Sequence, residues 1–401
     1  MPFGHQKVES RRILLREISQ GGRVPRIDLA ARTGISRATV TAVTADLIRG
    51  GLVEEVPNDS ALADRTRGRP KVDLRIAGNA HRVAGLKVSN RVISLVLLNF
   101  EGSEIAQIER RMARGTNDPK TLAAEIGAGL EALADAAGVT TAEISGLGVG
   151  LAGQVDADTG LVYWSPSLDQ RNVKLRDIMS DALGLPVFLD NDANLVAMAE
   201  KSFGLGRGHS DFIVITVESG VGMGLVLGGE VYRGTRGSGG EFGHTKIQPD
   251  GALCRCGQRG CLEAYVADYA LVREAASVPG IDTSGRTADT VKHILDAARA
   301  GDKAARQVVD RAGHIFAIGL ANLVNIFDPQ LIIIAGEQMH FDHLYADTVI
   351  DEMRKSIVEI DRAPPEVVIH KWGNQMFARG AAAYALDFVH DIALEELEDA
   401  I

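Results

Sequence analysis

Apolar positions near the start of the chain repeat with a helical period. Ile13, Leu14 and Ile18 recur on one face of a segment that begins at Ser10 and stops at Gly21-Gly22. Pro25 opens a short second helix in which Ile27, Leu29 and Ala30 have core spacing. Thr33-Gly34 breaks it, because glycine accepts the left-handed conformation of a tight turn. Ser36 is a good N-cap for a third helix, with Val40, Val43 and Leu47 as its buried stripe. This order predicts a helix-turn-helix, whose second helix enters the major groove by its N-terminal residues. Those residues are Ser36, Arg37, Thr39 and Thr41, all polar and off the apolar stripe, with Arg37 the leading base or phosphate contact.

The period then shortens to two. Leu52–Val56 and Lys71–Ile76 read as partner strands around a loop rich in Asp, Arg and Gly, which is the pattern of a wing. Its tip, Arg65–Lys71, carries four positive charges around a Gly and a Pro, and Arg67 and Arg69 suit a narrow minor groove. A solvated flexible loop is the competing reading of such a run. From about residue 81, apolar strand-like runs (Val92–Leu98, Ile144–Leu151, Val187–Leu189, Ile213–Val217, Gly224–Leu227, Leu331–Ile334) alternate with helical patterns (Leu122–Ala137, Ala193–Phe203, Ala305–Asn325). Phe100-Glu101-Gly102 reads as a hairpin turn. Such alternation predicts an α/β body with two lobes.

Composition changes this picture in one respect. A net charge of -10 over 401 residues argues against nucleic acid as a partner of the whole chain. Residues 1–78 hold 14 Lys/Arg against 9 Asp/Glu, hence +5, which leaves -10 - 5 = -15 for the rest. A basic head on an acidic body can dock on DNA by one end, although a surplus of this size is common on small domains. The N-terminus lacks a signal peptide's apolar core, and no apolar run of about 18 residues appears, so the expected location is cytoplasmic, with no membrane partner.

Only three cysteines occur, all between residues 254 and 261. Together with His244 they give one imidazole and three thiolates, Cys254, Cys256 and Cys261, on a glycine-rich loop. That set matches a closed tetrahedral zinc site, which shapes a loop and leaves no position for a metal-activated water. Three buried free cysteines are the alternative, though C-x-C followed by G-C is poor core sequence.

The run H…C-x-C-G-x-x-G-C-L-E resembles the signature of the ROK family (repressors, open reading frames, kinases). R-x-D-L-A-x-x-T-G-I-S-x-A-T-V, G-L-V-E-E and G-R-P resemble the head of its repressor branch. Gly146–Asp156 and Leu189–Asn194 resemble its substrate-lobe and N-D-A-N blocks, so the likeness covers nearly the whole chain. The resemblance implies a two-lobed sugar-kinase-like body of the actin/hexokinase type at residues 79–401, behind a winged helix-turn-helix at 1–78. The lobes would comprise 79–190 plus the C-terminal helix, and 191–377. It also implies that Asn191, Asp192, Glu241, His244 and Glu263 hold sugar hydroxyls, with Asp192 at the kinases' general-base position and Gly153 letting the backbone approach the ring. Carboxylates and an amide suit vicinal hydroxyls, and zinc on one nitrogen of His244 would leave the other to face ligand. Asp192 also has the plainer reading of a helix N-cap.

Active kinases of this family carry an early D-x-G-G-T phosphate loop. Here the matching place reads Gly85-Leu86-Lys87-Val88-Ser89-Asn90-Arg91, so Lys87 replaces the acid. Glu218-Ser219-Gly220-Val221-Gly222 stands for a second loop of the form G-T-G-x-G, and Ala335-Gly336-Glu337 departs from the adenosine motif. The expectation is therefore a sugar-responsive DNA-binding regulator, a repressor of carbohydrate uptake or catabolism genes, with structural zinc and phosphoryl transfer lost. Its partners would be operator DNA, a sugar or sugar derivative, and a second copy in a homodimer or higher homo-oligomer. The alternative is an active ATP-dependent sugar kinase with an accessory DNA-binding head.

Overall fold

A computed structural model describes residues 3–57, 72–89, 92–113, 117–279, 281–335, 347–358, 361–370 and 375–399. The chain divides into two compact units, Met1–Asp190 with Ala378–Ile401, and Asn191–Phe377.

The first unit begins with three helices, α1 (Phe3–Gly21), α2 (Arg26–Thr33) and α3 (Arg37–Arg49). Leu14, Leu15, Ile18, Leu29, Val40, Val43 and Leu47 are buried between them, each contributing about 1.5–3 kcal/mol relative to exposure. Two expected core positions differ. Ile27 is 61% exposed, because it lies two residues, or roughly 200°, from Leu29, the buried residue of the eight-residue α2. Ile13 is also exposed, since α1 turns Arg11, Leu14, Leu15 and Ile18 inward at i, i+3, i+4, i+7 spacing. α1 starts at Phe3 instead of Ser10.

Strands β1 (Val24–Pro25), β2 (Val53–Pro57) and β3 (Val72–Ile76) make an antiparallel sheet in the order β1-β3-β2. The two-residue β1 is too short for a periodicity to reveal. The wing tip, with Arg67 and Arg69, lies outside the described residues.

The same unit continues with β4 (Arg82–Ser89), β5 (Val92–Asn99) and β6 (Glu104–Arg111), an antiparallel meander. After α4 (Pro119–Ala137), β7 (Gly146–Leu151) returns parallel to β4 and β11 (Val187–Asn191) flanks it, giving the order β11-β7-β4-β5-β6. Between them, β8 (Gln154–Asp156), β9 (Leu161–Trp164) and β10 (Val173–Lys174) form a small sheet, followed by α5 (Leu175–Leu183). β4 and β7 are buried along most of their length, as an inner strand pair requires.

The second unit opens with α6 (Asp192–Phe203). Its sheet has the order β14-β13-β12-β15-β16, from β12 (Phe212–Val217), β13 (Val221–Leu227), β14 (Glu230–Val231), β15 (Leu331–Ala335) and β16 (Glu366–His370). Helices α7 (Glu263–Val266), α8 (Asp268–Ala275), α9 (Thr287–Arg299), α10 (Lys303–Phe327) and α11 (Asp347–Ser356) pack an apolar core with it. α10 is capped by Asp302, whose carboxylate accepts from the amides of Ala304 and Ala305. The closing helix α12 (Met376–Asp399) leaves the second unit at Phe377 and lies in the first from Ala378 onward. Among the described residues no helix is long and apolar enough to cross a membrane.

Candidate functional sites

The turn between α2 and α3 has the geometry that its residues dictate. Gly34 adopts φ 69° and its amide returns to the Ala30 carbonyl, while Ser36 Oγ accepts from Thr39 N at 3.2 Å. Ser36, Arg37 and Thr41 are exposed at the start of α3; Thr39 is half-buried with its hydroxyl 2.9 Å from that of Ser36. An exposed helix start bearing a guanidinium and hydroxyls is chemically suited to phosphates and base edges.

In the second unit, His244, Cys254, Cys256 and Cys261 bring their ligand atoms within 4.8 Å of one another. Cys254 Sγ lies 3.7 Å from His244 Nδ1, and Cys256 Sγ lies 3.7 Å from Cys261 Sγ. A tetrahedron with metal–sulfur bonds of about 2.3 Å has edges of about 3.8 Å, so the donor set fits zinc. The loop achieves this by tight turns. Gly260 sits at φ 76°, and a Cβ there would stand 1.8 Å from the Gln248 carbonyl oxygen. Burial pushes the Cys254 thiol up to about 12. Burial also works against Cys256, yet the Gln258 backbone, the neighbouring thiols and Lys246 bring it below the ordinary thiol value. Full ionisation of three such thiols needs a cation among them.

Several groups surround this set that spacing did not single out. Lys246 Nζ donates to Cys261 Sγ at 2.9 Å, and the Tyr269 hydroxyl reaches Cys254 Sγ at 3.6 Å and Glu263 Oε1 at 3.2 Å. Arg255, between two of the cysteines, lies over the Tyr269 ring and donates to the Ser219 carbonyl at 3.2 Å. The only sequence signal for these was their nearness to the cysteines, which does not say which way a side chain points.

Glu241 and Glu263, two of the expected sugar-binding residues, lie beside the His244–cysteine set. His244 Nε2 is 3.9 Å from Glu241 Oε2, on the side of the ring away from the cysteines. Burial raises the Glu241 carboxyl, His244 opposes the rise, and Glu263 and Asp192 add to it. Three carboxyl groups thus share one electrostatic environment, and hydroxyl donors would relieve their repulsion. Glu263 is buried and accepts from Val221 N at 3.3 Å. The N-cap of α6 is Asn191, which accepts from Ala193 N at 2.9 Å; Asp192 is the first helical residue and accepts from the same amide at 3.0 Å. Gly153 belongs to the first unit, at φ 117°, where a Cβ would meet the Trp164 carbonyl oxygen at 2.2 Å.

The places matched to phosphate loops look different. Lys87 is buried near the end of β4, paired with Ser94 and Gly150 in register. Asn90, Arg91, Gly336 and Glu337 lie outside the described residues. The amide of Glu218 donates to the Gly220 carbonyl at 2.8 Å, closing a tight turn after β12. The half-buried Asp268, raised to about 6 by burial against the opposing pull of Arg255, donates its amide to the Glu218 carbonyl.

Comparison with known proteins now adds to this geometry. Residues 84–387 match the ROK family model, and residues 9–54 match a winged helix-turn-helix DNA-binding model. A xylose repressor of Caldicellulosiruptor bescii is 30% identical over 342 residues, 84% of each chain. The crystal structure of a ROK family transcriptional regulator, a homologue of the E. coli MLC protein, superposes with a TM-score of 0.81 over 98% of this chain and 99% of its own, at 26% identity. A ROK glucokinase from Streptomyces griseus, solved with glucose and AMPPNP, covers 76% of this chain and 99% of its own, at 30% identity and a TM-score of 0.64. The kinase spans about three quarters of this chain, whereas the regulator spans nearly all of it. The chain belongs to the ROK family, in its branch of sugar-responsive DNA-binding repressors with an N-terminal winged helix-turn-helix.

Proposed function

We propose that the body senses a sugar through Asn191, Asp192, Glu241, His244 and Glu263, with Gly153 allowing close backbone approach, and that it transfers no phosphoryl group. The observation that carries this reading is a contrast of charge. Asp192, Glu241 and Glu263 share one environment beside His244, as hydroxyl recognition needs. A buried lysine, Lys87, stands where the kinases place the acid of their metal–phosphate network. Zinc on His244, Cys254, Cys256 and Cys261 would hold the loop and fix the imidazole so that Nε2 faces ligand. The zinc supplies shape, since protein fills all four positions.

In this reading the protein acts in the cytoplasm as a homodimer on a pseudopalindromic operator. Ser36, Arg37, Thr39 and Thr41 enter the major groove, and Arg67 and Arg69 enter the minor groove. Ligand binding shifts operator affinity by a coupling of about 1–3 kcal/mol. Xylose is the first ligand to try, because relatives bear the name xylose repressor. The test is operator binding by zinc-replete protein across pentoses, hexoses and acetamido sugars, beside a coupled assay with ATP. Affinity that no sugar alters defeats the sensor. ATP-dependent turnover abolished by Asp192→Asn establishes the kinase instead.

A further inference from the structure

The head of the first unit is joined to more than its own wing. Arg11 on α1 is a buried guanidinium; its Nη2 donates to Asp46 Oδ2 on the recognition helix α3 at 2.9 Å, and its Nη1 donates to Glu398 Oε1 on α12 at 3.2 Å. Two turns of α12 earlier, Asp391 accepts from Arg12 Nε at 2.8 Å. Leu397 of α12 packs against the end of α3, where a Cβ on Gly50 would stand 2.5 Å from its Cδ1. Asp46 also pairs with Lys7 at 3.0 Å and Arg49 at 3.3 Å, so the carboxylate is held from α1 and from its own helix.

The other end of α12 is held as tightly. Ala381 lies against β7, so closely that a Cβ on Gly148 would stand 1.8 Å from the Ala381 carbonyl oxygen. Phe388, midway along, stacks on Phe188 of β11 at 4.4 Å between centroids. β7 runs directly into Leu151-Ala152-Gly153, the segment that the proposed function places at the sugar ring. One rigid helix therefore touches the strand leading to that segment and, about five turns later, the helix that reads DNA.

We infer that α12 is the connecting element between ligand and operator, and that Arg11 is a positioning residue which ties the recognition helix to it through Asp46 and Glu398. This rests on the sugar-responsive reading above. A displacement of β7 on ligand binding moves α12, and the two-armed guanidinium passes the movement to α3 because both of its bonds are directional. A purely apolar contact would slide.

The variant that tests this is Glu398→Gln with Asp391→Asn, which removes the two carboxylates of α12 that pair with Arg11 and Arg12 and leaves Arg11–Asp46 intact. Leu397→Ala is the second variant. Operator affinity of the full zinc-replete chain is measured on a duplex selected in vitro, without and with millimolar D-xylose or D-glucose. Sugar affinity is read separately by calorimetry.

The expected result is unchanged sugar affinity, sugar-free operator affinity within about threefold of the parent, and a sugar effect on operator affinity reduced at least fivefold. A sugar effect of parental size in both variants overturns the inference. So does a uniform loss of operator affinity with the sugar effect intact, which assigns these contacts to head stability alone. A parent chain that binds the duplex but ignores every sugar defeats the sugar-responsive reading itself, and the inference falls with it.

Discussion

Two regions of this molecule bring ionisable groups together, and they do it in opposite ways. The loop from Glu241 to Glu263 gathers three thiols, an imidazole and two carboxylates within a short stretch of chain, with Lys246 hydrogen-bonded to a thiol. The junction of α1 with α12 joins residues 387 positions apart, and there three carboxylates meet guanidinium groups: Asp46 and Glu398 meet Arg11, and Asp391 meets Arg12. The first region has an excess of donors and is completed from outside, by a metal ion and by ligand hydroxyls. The second is neutralised from within. A region of the first kind responds to what binds it, and one of the second kind holds a geometry.

The largest effect that would break this contrast concerns the metal. If the loop is completed from outside, Cys254→Ser or Cys261→Ser, or removal of zinc by a chelator, should cost more than about 4 kcal/mol. The melting temperature of the second unit should then fall by roughly 10 °C, with zinc content measured alongside. Equal stability with and without metal would mean that the thiols are neutral core residues, and the contrast would disappear.

The second region carries its own sensitivity, to protons. His390 of α12 packs edge-on against Phe100 at 4.6 Å, with Nε2 buried and without a hydrogen-bond partner among the described residues. Burial lowers its pKa to about 4; a backbone hydrogen bond at Phe100 and the charge of Asp391 oppose this, while His81 and Arg16 add to it. The unfolded chain takes up this proton near pH 6.5 and the folded chain only near pH 4. The contribution is therefore complete above about pH 6.5 and is lost as pH falls through that window, up to about 3 kcal/mol. Denaturant melts at pH 7 and pH 5 should show the loss, and His390→Gln should reduce it. A pH response identical in the variant would remove the imidazole from the account.

The same contrast governs what could be read from the residues alone. Local chemistry was legible. The donor set His244, Cys254, Cys256 and Cys261 follows from spacing, and the cap at Ser36 follows from residue type. The alternating body was legible too, because buried strands such as β7 and β12 are continuous apolar runs. The α1–α12 junction was not, since nothing in Arg11 or Glu398 points across 387 residues of sequence. Ile27 was misplaced for a related reason: a helix of two turns has too few positions for its period to fix a face. The cap of α6 fell to Asn191 instead of Asp192 because two adjacent residues can both serve that amide, and only backbone geometry decides.

A smaller effect separates ligand completion from metal completion within the first region. Asp192→Asn and Glu241→Gln keep size and remove charge, so the fold should hold to within about 1 kcal/mol while sugar affinity falls by about 2 kcal/mol, or roughly thirtyfold. Calorimetry with the sugar that alters operator binding measures this. Glu241→Gln should also relieve the repulsion among the carboxyls and raise the melting temperature of the sugar-free protein slightly. If both variants bind sugar as the parent does, the carboxylates serve the loop and not the ligand.

The smallest effect lies on α3, at the far end of the second region. Arg37 is exposed and begins the helix that Asp46, about two and a half turns later, fastens to Arg11. It is the first residue of α3, at the end away from Asp46, and removing its guanidinium should leave the junction undisturbed. Arg37→Ala should therefore weaken operator binding by about 1–3 kcal/mol with no change in melting temperature. Salt titration then distinguishes its two candidate roles. A phosphate contact lowers affinity for all duplexes alike and reduces the salt slope by about one, whereas a base contact relaxes preference at one position of the site. If Arg37→Ala instead lowers the melting temperature, the start of α3 is part of the internally neutralised junction. The boundary between holding a geometry and reading DNA would then lie beyond this residue, toward the wing.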